Sequence, residues 1–264
     1  GRTIDAKTGA EIKALLPVHL FGQVGAMESL VQVAREYHLQ IVEDVAQACG
    51  ARVHMDGKEK FAGTIGALGC FSFFPSKNLG GFGDGGLVSA DSDELAMRLR
   101  MLRMHGESTK YHHDITGLNS RLDSLQAAVL SVKLKFLDTW CEARIARAGT
   151  YQQLFMHSGL VGKQVLAIPP ATSGKSHVFN NYCIRAERRD QLKQFLAAVG
   201  IQSEIYYPVP LHLQKCFADL GYKRGDFPLS EAAATQVLAL PLYPELTAEQ
   251  QETVVTAIAK FYRT

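Results

Sequence analysis

The sequence predicts an α/β protein with a mostly parallel sheet, followed by a smaller α+β domain. In the first half of the 264 residues, short apolar segments alternate with amphipathic segments, which is the pattern of strands and helices in a layered α/β fold. In the second half this regular alternation ends, and short apolar segments with prolines separate two helical segments. We therefore predict a first domain at residues 1–155 and a second at residues 156–264.

The elements of the first half follow from the spacing of apolar residues. The run from Ile12 to Pro17 predicts a buried strand, and the stripe around Leu30 predicts an amphipathic helix. The segments LQIVEDV, GCFSFF and GGLVSA predict three further strands. Asp91 and Glu94 form a capping pattern that predicts the start of a helix. A long helical region is predicted over residues 121–155.

The second half predicts a small α+β domain. Strands are expected at VFNNYCIRA, at IQSEIYYPVP and at VLALPLYP. The segment RDQLKQFLAAVG predicts a helix that ends on Gly200, and a terminal helix is predicted after Thr247, which forms a capping box with Gln250.

Composition excludes several classes of protein. The 28 basic and 26 acidic residues leave a net charge of +2, which gives no sign of binding to nucleic acid or to an anionic membrane. No apolar run approaches the length of a membrane span. The five cysteines are widely spaced and form no C-x-x-C pair, so we expect no metal site and a reducing, cytoplasmic location.

A lysine beside a glycine cluster is the first candidate functional residue. Lys77 lies in FSFFPSKNLGGFGDGG, where the glycines from Gly81 onward match G-x-G-x-x-G. A dinucleotide site requires a helix to begin there, whereas the next residues predict a strand. Apolar neighbours would partly desolvate Lys77 and leave a nucleophilic amine, which suits covalent binding of pyridoxal phosphate. Taken alone, the stretch fits a surface lysine in a glycine turn better, because most lysines are exposed.

A carboxylate at the end of a predicted buried strand favours the first interpretation. Asp44 ends LQIVED, and ligands of open α/β sheets gather at the carboxyl ends of the strands. Pyridoxal chemistry needs a carboxylate against the pyridine nitrogen. Gln47 could contact the phenolic oxygen of the ring, and Ser72 could donate to the phosphate. The alternative for Asp44 is a helix cap or a surface acid, and we expect its neighbour Glu43 to be one of these.

Five motifs in order carry a resemblance to a known family. They are PVHLFGQ, EDVAQACGA, FSFFPSKNLGGFGDGG, GLNSRLDSLQAA and YYPVPLHLQ. The chain resembles the DegT/DnrJ/EryC1/StrS sugar aminotransferases from about Ala14 onward. This resemblance implies the fold of type I pyridoxal-phosphate enzymes, which in this family transfer an amino group, with L-glutamate as the expected donor, to nucleotide-linked keto-sugars.

The resemblance also implies roles for individual residues. Lys77 matches the lysine that binds pyridoxal phosphate covalently and moves the proton during catalysis. Asp44 matches the carboxylate at the pyridine nitrogen, Gln47 the glutamine beside the ring and Ser72 a phosphate donor. Asn119 matches an asparagine that reaches the cofactor phosphate of the neighbouring subunit, which implies a homodimer with shared active sites.

Substrate residues and specificity are less closely defined. Arg121 could bind the carboxylate of the amino donor or could be a surface charge at a helix start. His212 could contact the sugar or the nucleotide, or could be a structural histidine. Tyr206 stands where many relatives have histidine. Two other functions stay open: a cyclitol-ketone aminotransferase of the same family, and a non-catalytic regulator that binds the cofactor.

The resemblance further implies that family members carry well over a hundred residues before the PVHL motif. Those residues would supply a phosphate-binding loop, an aromatic that stacks on the ring and several strands of the main sheet. We therefore expect the chain to correspond to the rear two thirds of such an enzyme. Without the missing strands, apolar sheet edges would be exposed and the chain alone would hold cofactor weakly.

Overall fold

The structure is a computed structural model that describes residues 2–6, 8–171 and 174–263. The chain forms two compact units. The first contains Gly1–Glu142 and Thr172–Asn180, and the second contains Ala143–Ala171 and Asn181–Thr264.

The first unit contains ten strands, three whole helices and the start of a fourth among its described residues. The strands are β1 (Thr3–Ile4), β2 (Glu11–Ile12), β3 (Ala14–Leu15), β4 (Gln40–Asp44), β5 (Arg52–Met55), β6 (Lys58–Phe61), β7 (Leu68–Ser72), β8 (Gly86–Ala90), β9 (Glu107–Thr109) and β10 (His112–His113). The helices are α1 (Met27–Glu36), α2 (Asp93–Arg103), α3 (Ser124–Leu134) and the first residues of α4 (Leu137–Ser158).

A four-stranded sheet organises the first unit, in the order β3-β4-β7-β8. The first three strands are parallel, and β8 is antiparallel to β7. Buried aliphatic residues of β4 and of its flanking loops, such as Ile41, Val45 and Ala48, pack in the core of the unit. Because β3, β4 and β7 are parallel, their carboxyl ends lie at one edge of the sheet, where ligands of such sheets bind.

Three local expectations for the first unit are corrected. The predicted buried strand at residues 12–17 is two short strands, β2 and β3, in which Glu11, Ile12 and Ala14 are exposed. The long helical region divides into α3 and α4. The cap of α2 is Ser92 and not Asp91, because Ser92 is extended and its Oγ accepts the Leu95 N–H at 3.3 Å.

The second unit is built on an antiparallel sheet. Its strands, in the order β11-β12-β13, are β11 (Val165–Ala167), β12 (Tyr182–Ala186) and β13 (Val237–Leu240). Its helices are the rest of α4, α5 (Arg189–Ala198), α6 (Pro228–Gln236) and α7 (Ala248–Arg263). The strand expected at IQSEIYYPVP is wrong: only Glu204 forms a bridge there, to Ala239. Pro208 and Pro210 lack the N–H that a longer ladder would require.

Aromatic packing fills the core of the second unit. Tyr151 and Phe155 of α4 pack against Tyr182 of β12, with ring centroids 4.9 and 6.5 Å from that of Tyr182. All three side chains are almost completely buried. Among the described residues, no helix is both long enough and apolar enough to cross a lipid bilayer.

Candidate active site

Asp44 ends β4 in the interior of the four-stranded sheet. Its N–H donates to Pro17 O at 2.9 Å, and its carbonyl oxygen accepts the His19 N–H at 3.0 Å. Its Oδ1 accepts the Ala46 N–H at 2.9 Å. The backbone and one carboxylate oxygen are therefore fixed by the two adjacent loops, and the half-buried side chain lies at the carboxyl edge of the sheet.

Lys77 lies in the turn that follows β7, the strand next to β4. Its N–H donates to Phe74 O at 2.9 Å, and its side chain is half-buried. Burial lowers the pKa of the Lys77 ammonium below its ordinary value, while the negative charge of Asp44 acts in the opposite direction. The uncharged, nucleophilic form of the Lys77 amine therefore forms at a lower pH than in an exposed lysine.

Gln47 and Ser72 are at the same edge of the sheet and make local hydrogen bonds. Gln47 Oε1 accepts the Phe21 N–H at 2.6 Å, which fixes the amide beside the loop after β3. Ser72 is the last residue of β7, and its Oγ accepts the Phe74 N–H at 3.3 Å. The hydroxyl hydrogen of Ser72 can therefore be donated elsewhere.

The glycines after Lys77 are required by close packing. A Cβ at Gly80 would lie 2.3 Å from Pro75 O, and one at Gly81 would lie 2.8 Å from Gln126 Oε1. Backbone conformation does not explain these glycines, because Gly80, Gly81, Gly83, Gly85 and Gly86 have no positive φ. As expected, β8 follows the glycines, so the arrangement of a dinucleotide-binding helix is absent at this position.

Glu43 is a functional candidate that the sequence interpretation missed. Instead of a cap or a surface acid, it is a fully buried carboxylate paired with the fully buried His19 at 3.0 Å. Backbone amides of the loop before β7 complete its hydrogen bonds, which is why it can be buried. The signal in the sequence was the alternating pattern in which Ile41 and Glu43 of β4, and Val45 directly after it, are buried.

Asn119 and Arg121 are exposed and lie away from the sheet edge that carries Lys77 and Asp44. Asn119 forms a bridge with Met104 at the end of α2. Arg121 lies on the wall of a cleft of about 950 Å³ beside β8, which Arg100 and Arg103 also line. The lining of this cleft includes neither Lys77 nor Asp44. The structure thus brings Lys77, Asp44, Gln47 and Ser72 to one edge of the sheet and places Asn119 and Arg121 beyond α2.

His212 is in the second unit and is largely buried. Its side chain is 7% exposed, its Nε2 is 3.0 Å from Glu231 Oε1, and its ring packs on Phe227 at 4.8 Å between centroids. The Gly225 N–H donates to the same Glu231 oxygen. These contacts hold the segment around His212 together.

An amine and a carboxylate at the carboxyl edge of an α/β sheet are typical of pyridoxal-phosphate enzymes. The chain belongs to the DegT/DnrJ/EryC1/StrS aminotransferase family, whose model matches residues 2–259. Members of this family are pyridoxal-phosphate-dependent aminotransferases of fold type I.

Individual relatives cover nearly the whole chain. It is 47% identical to a pleiotropic regulatory protein of Geobacillus stearothermophilus over 98% of its length, and 42% identical to the UDP-N-acetyl-3-dehydro-alpha-D-glucosamine 3-aminotransferase of Acidithiobacillus ferrooxidans over 97%. The crystal structure of a DegT DnrJ EryC1 StrS aminotransferase from Brucella abortus superposes on 97% of the chain with a TM-score of 0.86 and 36% identity. The chain spans 68%, 66% and 66% of these three proteins, about two thirds of their length.

The residues at the sheet edge fit pyridoxal phosphate. Lys77 supplies an amine of lowered pKa, which is the group that bonds to an aldehyde. Asp44 supplies a carboxylate whose backbone and Oδ1 are already fixed. The Ser72 hydroxyl accepts the Phe74 N–H and can donate its hydrogen to an oxygen atom of the phosphate.

Proposed function

We propose that the protein is a pyridoxal-phosphate-dependent aminotransferase that transfers an amino group from L-glutamate to a nucleotide-linked keto-sugar. The observation that carries the proposal is the position of two half-buried residues at the carboxyl edge of the sheet: Asp44 ends β4, and Lys77 lies in the turn after the adjacent strand β7. Both residues belong to motifs that imply these roles in the family.

In this proposal Lys77 has two tasks. When bound, pyridoxal phosphate supplies an electron sink for the carbon that loses its proton. Lys77 Nζ would hold the cofactor between turnovers and would move the proton that the α-carbon of the amino donor loses. A base is most effective when its pKa lies near the operating pH, so the lowered pKa of Lys77 favours both tasks.

The other residues of the sheet edge would orient the cofactor. Asp44 would keep the pyridine nitrogen protonated, Gln47 would lie beside the phenolic oxygen and Ser72 would donate to the phosphate. Asn119 of a second subunit would also reach the phosphate, which makes the active protein a homodimer. An exposed Asn119, available to a second subunit, supports this assignment.

The substrate class is inferred from the relatives. The named activity of the Acidithiobacillus relative, on a UDP-linked dehydro-sugar, supports a nucleotide-linked keto-sugar as acceptor. Arg121 would bind the carboxylate of the amino donor. His212 is more consistent with holding its own segment than with contacting the sugar, because its Nε2 is paired with Glu231.

Covalent trapping of the cofactor tests the proposal. The purified protein is incubated with pyridoxal phosphate and reduced with borohydride, and the modified lysine is mapped by mass spectrometry. We expect one adduct, on Lys77. Lys77→Arg is the matched control, because it keeps the charge and cannot form the adduct, and it should also lose amino transfer. An adduct on another lysine would disprove the assignment.

A regulator is the second candidate, because a relative at 47% identity is named as a pleiotropic regulatory protein. Both candidates predict the adduct on Lys77. Only the aminotransferase should convert the bound cofactor to its amine form when L-glutamate is added, which changes its visible absorbance. A protein that binds the cofactor and leaves this absorbance unchanged with glutamate and other amino donors would favour the regulator.

A further inference from the structure

We propose that His19 and Glu43 are a positioning pair that fixes the Asp44 carboxylate against its ligand. The inference deepens the proposed function and rests on it for its purpose, since Asp44 is the cofactor carboxylate in that proposal. The pair is His19 of the loop after β3 and Glu43 of β4, with both side chains 0% exposed.

Both carboxylate oxygens of Glu43 have hydrogen-bond partners. Its Oε1 accepts the N–H groups of Ile65 and Gly66, each at 2.8 Å. Its Oε2 accepts the Gly63 N–H at 2.8 Å and lies 3.0 Å from His19 Nε2. Burial alone would raise the pKa of Glu43, but the hydrogen bonds from His19 and the three amides hold it below its ordinary value. A charged carboxylate therefore joins the loop before β7 to His19.

The hydrogen bonds of His19 define its protonation. Its Nδ1 accepts the Gly25 N–H at 3.2 Å, so Nδ1 carries no proton. The ring proton is then on Nε2 and is donated to Glu43. His19 consequently acts as a neutral bridge with one fixed orientation, between the loop that follows it and the carboxylate.

This bridge acts directly on the site residues. The His19 N–H donates to the Asp44 carbonyl, and Asp44 is the next residue after Glu43, so the Asp44 peptide is held at both of its ends. The loop that His19 fixes also carries Phe21, whose N–H donates to Gln47 Oε1 at 2.6 Å. A shift of His19 would therefore move Asp44 and Gln47 together.

A buried charged group is an inefficient way to stabilise a fold, because an apolar side chain of similar volume often stabilises as well or better. A buried, hydrogen-bonded pair can, however, fix the orientation of the groups that it joins. Here the pair ties together the loops at the ends of β3 and β4 and before β7, around the two residues that would contact the ring. We infer that its role is orientation.

Three variants separate the hydrogen bonds of His19. His19→Asn keeps an acceptor at the Nδ1 position and loses the donor to Glu43. His19→Gln keeps a donor at the Nε2 position and is the matched control. Glu43→Gln, the second test variant, leaves His19 facing a neutral amide. Asp44→Asn calibrates the effect of removing the carboxylate charge.

The first readout needs no cofactor. The pKa of Lys77 in the apo-protein is measured from its reactivity with an amine reagent at a series of pH values, with quantitation by mass spectrometry. Because the Asp44 charge raises the Lys77 pKa, displacement of Asp44 should lower it. We expect His19→Asn and Glu43→Gln to move the Lys77 pKa toward the value in Asp44→Asn, and His19→Gln to stay near wild type.

The second readout is cofactor affinity, from absorbance titration with pyridoxal phosphate. His19→Asn should weaken binding by about tenfold, the scale on which residues that orient a ligand act. In the Asp44→Asn background the same substitution should have little further effect, because His19 acts through Asp44.

The outcomes decide the two proposals separately. A wild-type protein that binds no pyridoxal phosphate would overturn the proposed function, while the Lys77 pKa would still test the pair. If folded His19→Asn and Glu43→Gln keep the wild-type Lys77 pKa and only unfold more easily, the pair is structural and the inference is wrong. Failure of both variants to fold would have the same meaning.

Discussion

Gly22 shows how one residue without a side chain fits a crowded site. It is the glycine of the LFG sequence in the loop after β3, and its φ is +98°. A Cβ there would lie 2.9 Å from Asn180 N and 3.0 Å from Gln47 O. Both the backbone angle and the packing therefore require glycine, next to a residue that we assign to the cofactor.

Gly22→Ala should lower the free energy of unfolding more than a glycine substitution that is strained without being crowded. Gly57 is the matched control, because its φ is +71° and an added Cβ meets nothing within 4 Å. Strain costs about 1–3 kcal/mol at either position. Crowding should add roughly 1–3 kcal/mol at Gly22 alone. Urea unfolding measures both variants, and equal losses would contradict the crowding argument.

His177 is a buried imidazole that the folded protein keeps neutral. Its ring stacks on Phe179 with 3.7 Å between centroids, and its Nδ1 accepts the Phe179 N–H at 3.1 Å. Burial lowers the pKa of His177 from 6.5 to about 4, although a hydrogen bond with the Gly22 backbone acts in the opposite direction.

Protonation of the unfolded chain at His177 should therefore reduce stability in mild acid. Between pH 6.5 and about 4 the unfolded chain binds a proton at His177 that the folded protein does not bind. The contribution of neutral His177 to the free energy of unfolding is therefore full above pH 6.5 and is lost as the pH falls toward 4. The loss should reach about 3 kcal/mol. His177→Asn keeps an acceptor for Phe179 and cannot titrate. The difference in unfolding free energy between wild type and this variant should shrink across that window, and a constant difference would contradict the assignment.

At the scale of elements, helix ends were predictable where the capping residues lie close together in the chain. The Thr247 N–H donates to Gln250 Oε1 at 2.9 Å, and the Gln250 N–H donates to Thr247 Oγ1 at 3.2 Å. This is the expected capping box of α7. At α2 the sequence predicted a cap at Asp91, and the backbone conformation places the cap at Ser92.

Thr247→Ala should destabilise the second unit by about 1 kcal/mol, because the cap of α7 is lost. Thr256→Ala is the control, since Thr256 is exposed within α7 and alanine has the higher helix propensity. Thermal unfolding followed by circular dichroism should therefore show a lower midpoint for the first variant and an unchanged or higher midpoint for the second. The reverse order would show that the capping bonds do not contribute in solution.

At the scale of the whole molecule, the candidate cofactor residues all belong to the first unit. Lys77, Asp44, Gln47, Ser72 and Asn119 lie within Gly1–Glu142, whereas α5 and α7 belong to the second unit. Cofactor binding should therefore stabilise the two units to different degrees.

Saturation with pyridoxal phosphate should raise the stability of the first unit by about 2.7 kcal/mol at a concentration one hundred times its dissociation constant. Hydrogen exchange measured by mass spectrometry should slow in peptides that cover β4 and the Lys77 turn, and α7 serves as the internal control. Slowing in α7 without any change at β4 would place the cofactor in the other unit.

The sequence by itself determined the residues whose role depends on local chain geometry. The strand of Asp44, the strand after the glycines and the cap of α7 each follow from a few neighbouring residues, and the family motifs imply roles for Asp44 and Lys77. Tertiary structure decided the rest. Glu43 looked like a surface acid because its three amide donors lie 20, 22 and 23 residues away. The requirement for glycine at Gly80 and Gly81 is set by the atoms that pack against them. The buried position of His212 depends on Glu231, 19 residues further along the chain. The physical reason is the same in each case: the cost of burying a polar group or adding a Cβ is set by atoms that only folding brings near.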